Sequence, residues 1–258
     1  MNRFTKSKTM IFPREIIVGH KTTSQVAELC NRIVRGKSAL LIAEKTTKKL
    51  SGNQILKILK KAEYNVKEKI VTAATISEVN KVINFAYKSK TDILLGVGGG
   101  SIIDVTKLAA FELSIPFISV PTCASHDGVA SPRASLKHRS GSVSKTASSP
   151  LAVLADTEII YKAPFKMLAA GCADAISNIS AVMDWKLANR LKHEEYSSHA
   201  AVLAETAAQL IMDHADEIKP EVEQSAWIAV KAMIVSGVAM SVAGNTRPAS
   251  GSEHMFRS

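Results

Sequence analysis

The chain has 258 residues, of which 46% are hydrophobic and only 5% aromatic. This length allows one large domain or two modest ones, and the composition suits an α/β protein better than an all-β sandwich. The net charge is +10, but the basic residues are dispersed and form no dense block with interleaved aromatic residues. These features argue against nucleic-acid binding and leave attraction to anionic lipids or phosphorylated small molecules open.

The cysteines and the N-terminal residues indicate the cellular setting. Cys30, Cys123 and Cys172 lie far apart and form no CxxC pair. They therefore indicate neither a disulfide framework nor a cysteine-rich zinc site, and a reducing cytoplasm is the simplest setting. The residues from Met1 to Met10 are basic but lack the apolar stretch and cleavage site of a signal peptide. We find no run of about 18 apolar residues, and we expect no membrane span.

The first part of the chain alternates predicted strands with predicted helices. Strands are predicted at residues 10–19, 38–45, 65–71, 91–97, 116–122 and 150–160. Helices are predicted from their apolar spacing at residues 22–34, 54–62, 77–90 and 101–113. Ser77 and Ser101 are the expected N-caps of the last two helices, with Asp104 completing a capping-box-like arrangement after Ser101. This alternation predicts a mostly parallel, Rossmann-like sheet with helices on both faces.

After Pro164 the pattern changes to long, alanine-rich helices. They are predicted at residues 165–191, 194–218 and 221–244. We therefore expect an α/β domain over residues 1–162 and an all-helical domain over residues 163–258. The polar, Gly/Ser-rich segment at residues 136–149 predicts either a mobile flap or a small hairpin.

A glycine-rich turn, GVGGGSIID at residues 96–104, lies between a predicted strand and a predicted helix. Glycines let a pyrophosphate approach the backbone, and a helix N-terminus offers free N–H groups and partial positive charge. The stretch departs from G-x-G-x-x-G because Ser101 stands in place of the last glycine. A tight, well-capped turn without a ligand is therefore as good an interpretation as a cofactor-binding turn.

A second polar loop follows the next predicted strand. It reads VPTCASHDGVASPRASL at residues 120–136 and carries several hydroxyl and charged side chains. Ligands of open α/β sheets bind outside the carboxyl ends of the strands, so two adjacent loops of this kind favour a cofactor cleft. The alternative is an ordinary polar loop with a turn at Asp127-Gly128.

Four stretches together carry a resemblance that covers nearly the whole chain, at residues 96–110, 121–136, 171–188 and 244–256. They resemble the archaeal-type sn-glycerol-1-phosphate dehydrogenases, a family related to iron-containing alcohol dehydrogenases, glycerol dehydrogenase and dehydroquinate synthase. The resemblance implies a dinucleotide-binding domain followed by an all-helical domain, with the active site between them. It also implies reduction of dihydroxyacetone phosphate by NADH or NADPH to sn-glycerol 1-phosphate for archaeal membrane lipids. A divalent metal, usually Zn²⁺, would act at the reacting carbon of a cytoplasmic homo-oligomer.

The resemblance assigns roles to individual positions. Asp127 and Asp174 would contact the substrate, and Asp174 and His254 would be the catalytic metal ligands. The cofactor contacts would be Gly98, Gly99, Gly100, Ser101, Ile102, Thr122, Cys123, Ala124, Ser125 and Ser131.

Some positions leave alternatives open. Asp174 also fits a helix-capping or salt-bridging acid, and His254 also fits a surface residue of a frayed tail. A further histidine ligand is missing, and Ser258 stands where the family has a substrate-contacting histidine. We therefore expect a truncated helical domain, with a catalytically impaired remnant or a related polyol dehydrogenase as alternatives.

Two further roles are open. His126 and Asp127 are candidates for delivering a proton to the product alkoxide. Arg133 and Arg247 are candidates for binding the substrate phosphate, because an arginine fork matches phosphate oxygens. Surface salt bridges are the alternative role for both arginines.

Overall fold

A computed structural model describes residues 10–138 and 141–253 of the chain. Within them, six strands form a parallel sheet in the order β1-β8-β5-β4-β2-β3, and two form an antiparallel hairpin, β6-β7. The strands are β1 Glu15–Gly19, β2 Ser38–Ala43, β3 Asn65–Ile70, β4 Ile93–Gly98, β5 Phe117–Pro121, β6 Arg133–His138, β7 Gly141–Thr146 and β8 Ala152–Asp156. The predicted parallel α/β sheet is confirmed, and the segment around residues 136–149 forms the hairpin.

Helices connect the strands and then continue alone after β8. They are α1 Val26–Ile33, α2 Lys45–Thr47, α3 Asn53–Lys61, α4 Ile76–Lys88, α5 Gly100–Leu113, α6 Thr157–Ile160, α7 Phe165–Lys192, α8 Ser198–Asp213 and α9 Glu223–Ala243. A π-turn at residues 48–52 joins α2 to α3. The helical pattern predicted after Pro164 is therefore present.

The sheet is covered on both faces. Residues that alternate along β2 enter different clusters: Leu41 packs with α1 and α3, whereas Leu40 and Ile42 pack with α4 and α5. Strands buried on both faces carry continuous apolar runs, which explains why SALLIA and ILLGVG read so clearly as strands.

Two predicted strands are shorter than their sequence patterns. The first strand begins only at Glu15, because Pro13 lacks the N–H that a ladder would use. The last strand ends at Asp156, whose side chain accepts the N–H of Glu158 and caps α6. The apolar residues that follow Asp156 therefore belong to a helical turn.

The two predicted N-caps are wrong. α4 is capped by Thr75, whose Oγ1 accepts the Glu78 N–H at 3.3 Å, two residues before the predicted Ser77. α5 begins at Gly100 with Gly99 as its N-cap and no side-chain cap, so Ser101 already lies inside the helix. The backbone turns at Gly99 and Gly100 because these residues lie against the side chains of Cys123 and His126, where a Cβ would be crowded.

Helix α9 is a core helix with the hydropathy of a membrane span. An 18-residue window within it has a mean hydropathy of 1.8, a feature that the sequence analysis did not single out. However, 72% of that window is buried inside the protein, against α7, α8 and the loop after β5. Its apolar surface is therefore used for packing.

The strand register determines where the polar loops lie. Gly98 at the end of β4 pairs with Pro121 at the end of β5, so the segments that follow both strands emerge side by side. The β8 strand ends at the same edge, and α6 and α7 follow it. This edge carries the candidate site.

Candidate active site

The glycine turn between β4 and α5 is packed tightly against the second polar loop. An added Cβ would lie 2.8 Å from the Ile102 side chain at Gly98, and 1.6 Å from His126 Nε2 at Gly100. At Gly99 the nearest atom is Cys123 Sγ, at 3.1 Å. Because no side chain caps α5, its first N–H groups are free for a ligand.

We call the cavity beside this turn the glycine-turn cleft. Its volume is about 530 Å³. Six of the predicted cofactor residues line it: Gly99, Gly100, Ser101, Thr122, Cys123 and Ser125. The other walls come from the segment after β2 (Glu44, Thr46, Thr47 and Leu50), from His126 of the second polar loop, and from the stretch between α6 and the start of α7 (Ile159, Lys162, Ala163, Pro164 and Met167).

Four predicted cofactor residues do not line this cleft. Gly98 and Ile102 are buried beneath the turn, and the Gly98 carbonyl accepts the Thr122 N–H at 3.1 Å. Ala124 is buried, and its carbonyl faces α7. Ser131 lines the neighbouring cavity instead. Gly98, Ile102 and Ala124 therefore lie in the layer that supports the cleft. Ser131 lies beside Asp127 and Asp174, the predicted substrate contacts.

Glu44 is a cleft residue that the sequence analysis missed. It follows β2, and with Thr47 it forms a capping box at the start of α2. Thr47 Oγ1 also donates to the Val97 carbonyl at 2.8 Å, which ties this segment to β4. An acid at the carboxyl end of a strand neighbouring the glycine turn was the available signal, because such acids bind ribose hydroxyls in dinucleotide folds.

We call the adjoining cavity, of about 620 Å³, the aspartate cavity. Asp127 and Asp174 both line it, together with Ser131 and Arg133. Asp174, on α7, accepts the Asp127 backbone N–H through Oδ2 at 2.9 Å. Ser236 Oγ donates to Asp127 Oδ2 at 2.8 Å. The structure therefore brings the two predicted substrate-contacting carboxylates together.

Asp127 and Asp174 influence each other's charge in the aspartate cavity. Burial, and next the charge of Asp174, raise the pKa of Asp127 above its ordinary value. Between residues 10–138 and 141–253, no lysine, arginine or histidine forms an ion pair with Asp174, so the salt-bridge alternative is not what these residues show. Two carboxylates in one cavity form a donor set that suits a divalent metal.

His126 lies where the two cavities meet. Its Nδ1 accepts the Gly128 N–H at 2.8 Å, so a neutral ring carries its proton on Nε2, beside Gly100. Ser101, Ser125 and His126 line both the glycine-turn cleft and the aspartate cavity. A ligand in one cavity can therefore reach a ligand in the other at this junction.

Two helix glycines let the helices press on the polar loop. A Cβ at Gly171 of α7 would lie 2.4 Å from the Ala124 carbonyl oxygen, and one at Gly237 of α9 would lie 2.8 Å from the Ser131 nitrogen. Backbone atoms cannot yield as a flexible side chain can. Both glycines are therefore needed for the helices to close over the loop.

Lys107 supports the same loop from α5 and is fully buried. Its Nζ donates to the carbonyls of Gly128 at 2.7 Å and Arg133 at 2.6 Å. Asp104 Oδ1 and Ser131 Oγ lie 3.4 Å away. Burial lowers the pKa of Lys107, and the Asp104 charge opposes this effect. The sequence analysis did not single out this lysine.

The two candidate phosphate-binding arginines differ in position. Arg133 lines the aspartate cavity, as does Lys137, and its guanidinium is held in the hairpin by Thr146 Oγ1 at 2.7 Å. Arg247 lines neither cavity and forms an ion pair with Glu194. The geometry therefore favours Arg133 and does not support Arg247.

The predicted metal ligands are only partly visible. Asp174 lies in the aspartate cavity, whereas His254 lies outside the described residues. The described ranges contain no group of three or more His, Cys, Asp or Glu side chains placed to hold a metal. Within those ranges, Asp174 is the predicted ligand that can be placed.

Comparison with known proteins gives related sequences over almost the full chain. Residues 17–164 match the family described as iron-containing alcohol dehydrogenase. Glycerol-1-phosphate dehydrogenase [NAD(P)+] from Methanococcoides burtonii is 48% identical over 251 residues, which cover 97% of this chain and 70% of that protein. The enzyme of the same name from Thermoplasma volcanium is 43% identical over 253 residues, or 98% of this chain and 72% of that protein.

Solved structures show the same fold at low identity. Glycerol dehydrogenase from Schizosaccharomyces pombe superposes with a TM-score of 0.79 at 22% identity, covering 92% of this chain and 63% of that chain. Sulfoacetaldehyde reductase from Bifidobacterium kashiwanohense, in complex with NAD⁺, gives a TM-score of 0.76 at 17% identity, covering 97% of this chain and 70% of that one.

Proposed function

Because the chain belongs to the glycerol-1-phosphate dehydrogenases among the iron-containing alcohol dehydrogenases, an oxidoreductase family, we propose that it reduces dihydroxyacetone phosphate to sn-glycerol 1-phosphate with NADH or NADPH. One observation carries the proposal. The glycine-turn cleft and the aspartate cavity meet at Ser101, Ser125 and His126, so a bound nucleotide and a bound ketone can face each other there. The product would serve the synthesis of archaeal membrane lipids.

The glycine-turn cleft is the proposed nucleotide site. Free N–H groups at the start of α5 would hold the pyrophosphate, and Thr122 and Ser125 offer hydroxyls beside it. Glu44 would accept hydrogen bonds from ribose hydroxyls. The wall formed by Ile159, Pro164 and Met167 offers apolar surface for a base.

The aspartate cavity is the proposed substrate and metal site. Asp174 and His254 would hold one divalent metal, which we propose to be Zn²⁺. When bound, the metal supplies Lewis-acid polarisation of a ketone oxygen, and the reduced nicotinamide supplies hydride. Asp127 would hydrogen-bond the substrate, and Arg133 and Lys137 would bind its phosphate. Neutral His126 would donate a hydrogen bond from Nε2 to the developing alkoxide at the junction, and water would supply the proton that completes the alcohol.

We further propose a division of the chain near residue 163. Residues 1–162 would form the nucleotide-binding domain, and residues 163–258 the helical domain that supplies Asp174 and His254. We also propose that the protein is a cytoplasmic homo-oligomer that acts on this small phosphorylated substrate.

The test uses the purified chain, supplied with Zn²⁺, in an assay of NADH and NADPH oxidation. We expect the nucleotide to be oxidised in the presence of dihydroxyacetone phosphate but not of dihydroxyacetone. We also expect the product to be consumed by an enzyme specific for sn-glycerol 1-phosphate and not by one specific for the opposite enantiomer. A chelator should abolish turnover and Zn²⁺ should restore it, while Asp174→Asn should prevent that restoration. Equal turnover of the phosphorylated and unphosphorylated ketones would overturn the substrate assignment.

A separate binding assay tests the nucleotide site. At Gly99, φ is −76°, which suits any residue, and an added Cβ needs a shift of only a few tenths of an ångström at Cys123. Gly99→Ala should therefore fold but weaken NADH binding, measured by fluorescence titration. Gly52→Ala is the control, because a Cβ there meets only ordinary contacts at 3.5 Å. Equal affinities in both variants would refute the site.

A further inference from the structure

A buried chain of hydrogen bonds runs from the helices to Asp127, beyond the groups already assigned to the reaction. Asn178 Nδ2 on α7 donates to Ser236 Oγ on α9 at 3.0 Å, and Ser236 Oγ donates to Asp127 Oδ2 at 2.8 Å. Asn178 Nδ2 also donates to the Ala204 carbonyl of α8 at 3.3 Å. Both Asn178 and Ser236 are 0% exposed. Groups from α7, α8 and α9 therefore form one hydrogen-bonded cluster, and Ser236 connects that cluster to Asp127 Oδ2.

With Asp127 ionised, the distances assign the donor of each hydrogen bond in this chain. A serine hydroxyl has one proton, and Ser236 Oγ lies closer to Asp127 Oδ2, at 2.8 Å, than to Asn178 Oδ1, at 3.4 Å. The proton therefore points to the carboxylate. Asn178 donates to the remaining lone pair of the hydroxyl and holds it in that orientation.

Asp127 is consequently fixed at two of its atoms. Its backbone nitrogen donates to Asp174 Oδ2 at 2.9 Å, and its Oδ2 accepts from Ser236. Gly237, next to Ser236, brings the α9 backbone against the loop that carries Asp127. Neither the backbone nor the side chain of Asp127 can turn without losing one of these contacts.

We propose that Ser236 and Asn178 are positioning residues for the reaction: they hold Oδ2 of Asp127 so that Oδ1 is presented to the substrate. This inference rests on the proposed function, in which Asp127 contacts dihydroxyacetone phosphate. In a purely structural role, Asn178, Ser236 and Asp127 would only satisfy one another's buried polar atoms. Their loss would then lower the stability of the protein without a specific effect on substrate turnover.

The first test is Ser236→Ala in the purified, Zn²⁺-supplied enzyme. We expect kcat/KM for dihydroxyacetone phosphate to fall by about tenfold or more, because the hydrogen bond that orients Asp127 Oδ2 is lost. KM for the nucleotide should stay within about twofold, since the glycine-turn cleft is untouched. The matched control is Ser241→Ala, on the same helix, 5% exposed and bonded to Ser149 Oγ at 3.1 Å.

A double-mutant cycle distinguishes positioning from stability. If Ser236 acts through Asp127, Ser236→Ala should have no further effect on kcat/KM in an Asp127→Asn background. Ser236→Thr, which keeps the hydroxyl, should recover activity. If Ser236→Ala does not give folded protein by circular dichroism, Ser236→Cys, a weak donor of similar size, should show the same loss.

The outcomes separate the two hypotheses. A wild-type chain that does not turn over dihydroxyacetone phosphate overturns the proposed function and this inference with it. An active wild type overturns only the inference if Ser236→Ala behaves like Ser241→Ala. Additive effects of Ser236→Ala and Asp127→Asn would do the same.

Discussion

Replacing Lys107 with methionine should destabilise the protein strongly. Methionine keeps the length of the buried stem but removes both short hydrogen bonds, to the Gly128 and Arg133 carbonyls at 2.7 and 2.6 Å. It also leaves Asp104, which is 4% exposed, without its cationic neighbour. Hydrogen bonds to a charged group contribute about 1.5–3 kcal/mol each, and breaking a buried ion pair costs about 3–5 kcal/mol. These terms overlap, so we expect the free energy of unfolding to fall by about 3–5 kcal/mol.

The assay is urea unfolding followed by far-UV circular dichroism. Lys60→Met is the matched control, because Lys60 is exposed on α3 and forms no ion pair within residues 10–138 and 141–253, so its loss should cost under about 0.5 kcal/mol. The double variant Asp104→Asn/Lys107→Met should recover part of the loss, since no unpaired buried charge remains. A loss below about 1 kcal/mol for Lys107→Met would refute the claim that this lysine supports the loop.

Three further outcomes follow from the structure. Glu44→Gln should raise the affinity for NADPH relative to NADH, measured by fluorescence titration, because the carboxylate in the glycine-turn cleft would repel a ribose 2′-phosphate; an unchanged ratio would remove Glu44 from the ribose site. Gly171→Ala should lower the melting temperature and weaken substrate binding in calorimetry, because the added Cβ would lie 2.4 Å from the Ala124 carbonyl oxygen, and wild-type behaviour would show that α7 can move aside. The hydrogen bond from Arg247 lowers the pKa of Glu194, so the stability of their ion pair is present above the ordinary value of 4.5 and is lost as the pH falls through the lowered one. Amide hydrogen exchange of residues 245–253, corrected for its intrinsic pH dependence, should therefore show less protection below the lowered pKa than above the ordinary value. The same change in Arg247→Gln would contradict this.

The sheet was predictable because its strands are buried on both faces. Runs such as ILLGV at residues 93–97 are continuous and unlike any helical pattern. The cap of α4 was not predictable to the residue, because Thr75 and Ser77 are both good capping residues and only the geometry chooses between them. The N-cap of α5 was predicted two residues too late, at Ser101 instead of Gly99, because serine is the better capping residue by type.

The site was predictable in part. The glycine turn and Asp127 stand out by residue type and by their position after strands, so the sequence could point to them. Lys107 could not be identified, because a lysine on a helix ordinarily indicates a solvated face. Ser236 and Asn178 lie 58 residues apart on different helices, and no local pattern relates them to Asp127. Such contacts become visible only in three dimensions.

The loop between β5 and β6 is held by α5 on one side and by α7 and α9 on the other. Its attachments at Lys107, Gly171 and Gly237 are distant in sequence, so bringing them together costs loop-closure entropy that local structure cannot repay. The parallel sheet can form without these contacts, but the aspartate cavity cannot. Catalytic competence should consequently be one of the last properties acquired during folding and among the first lost under mild denaturation. Enzyme activity would therefore report the docking of the helices more sensitively than any measure of secondary structure.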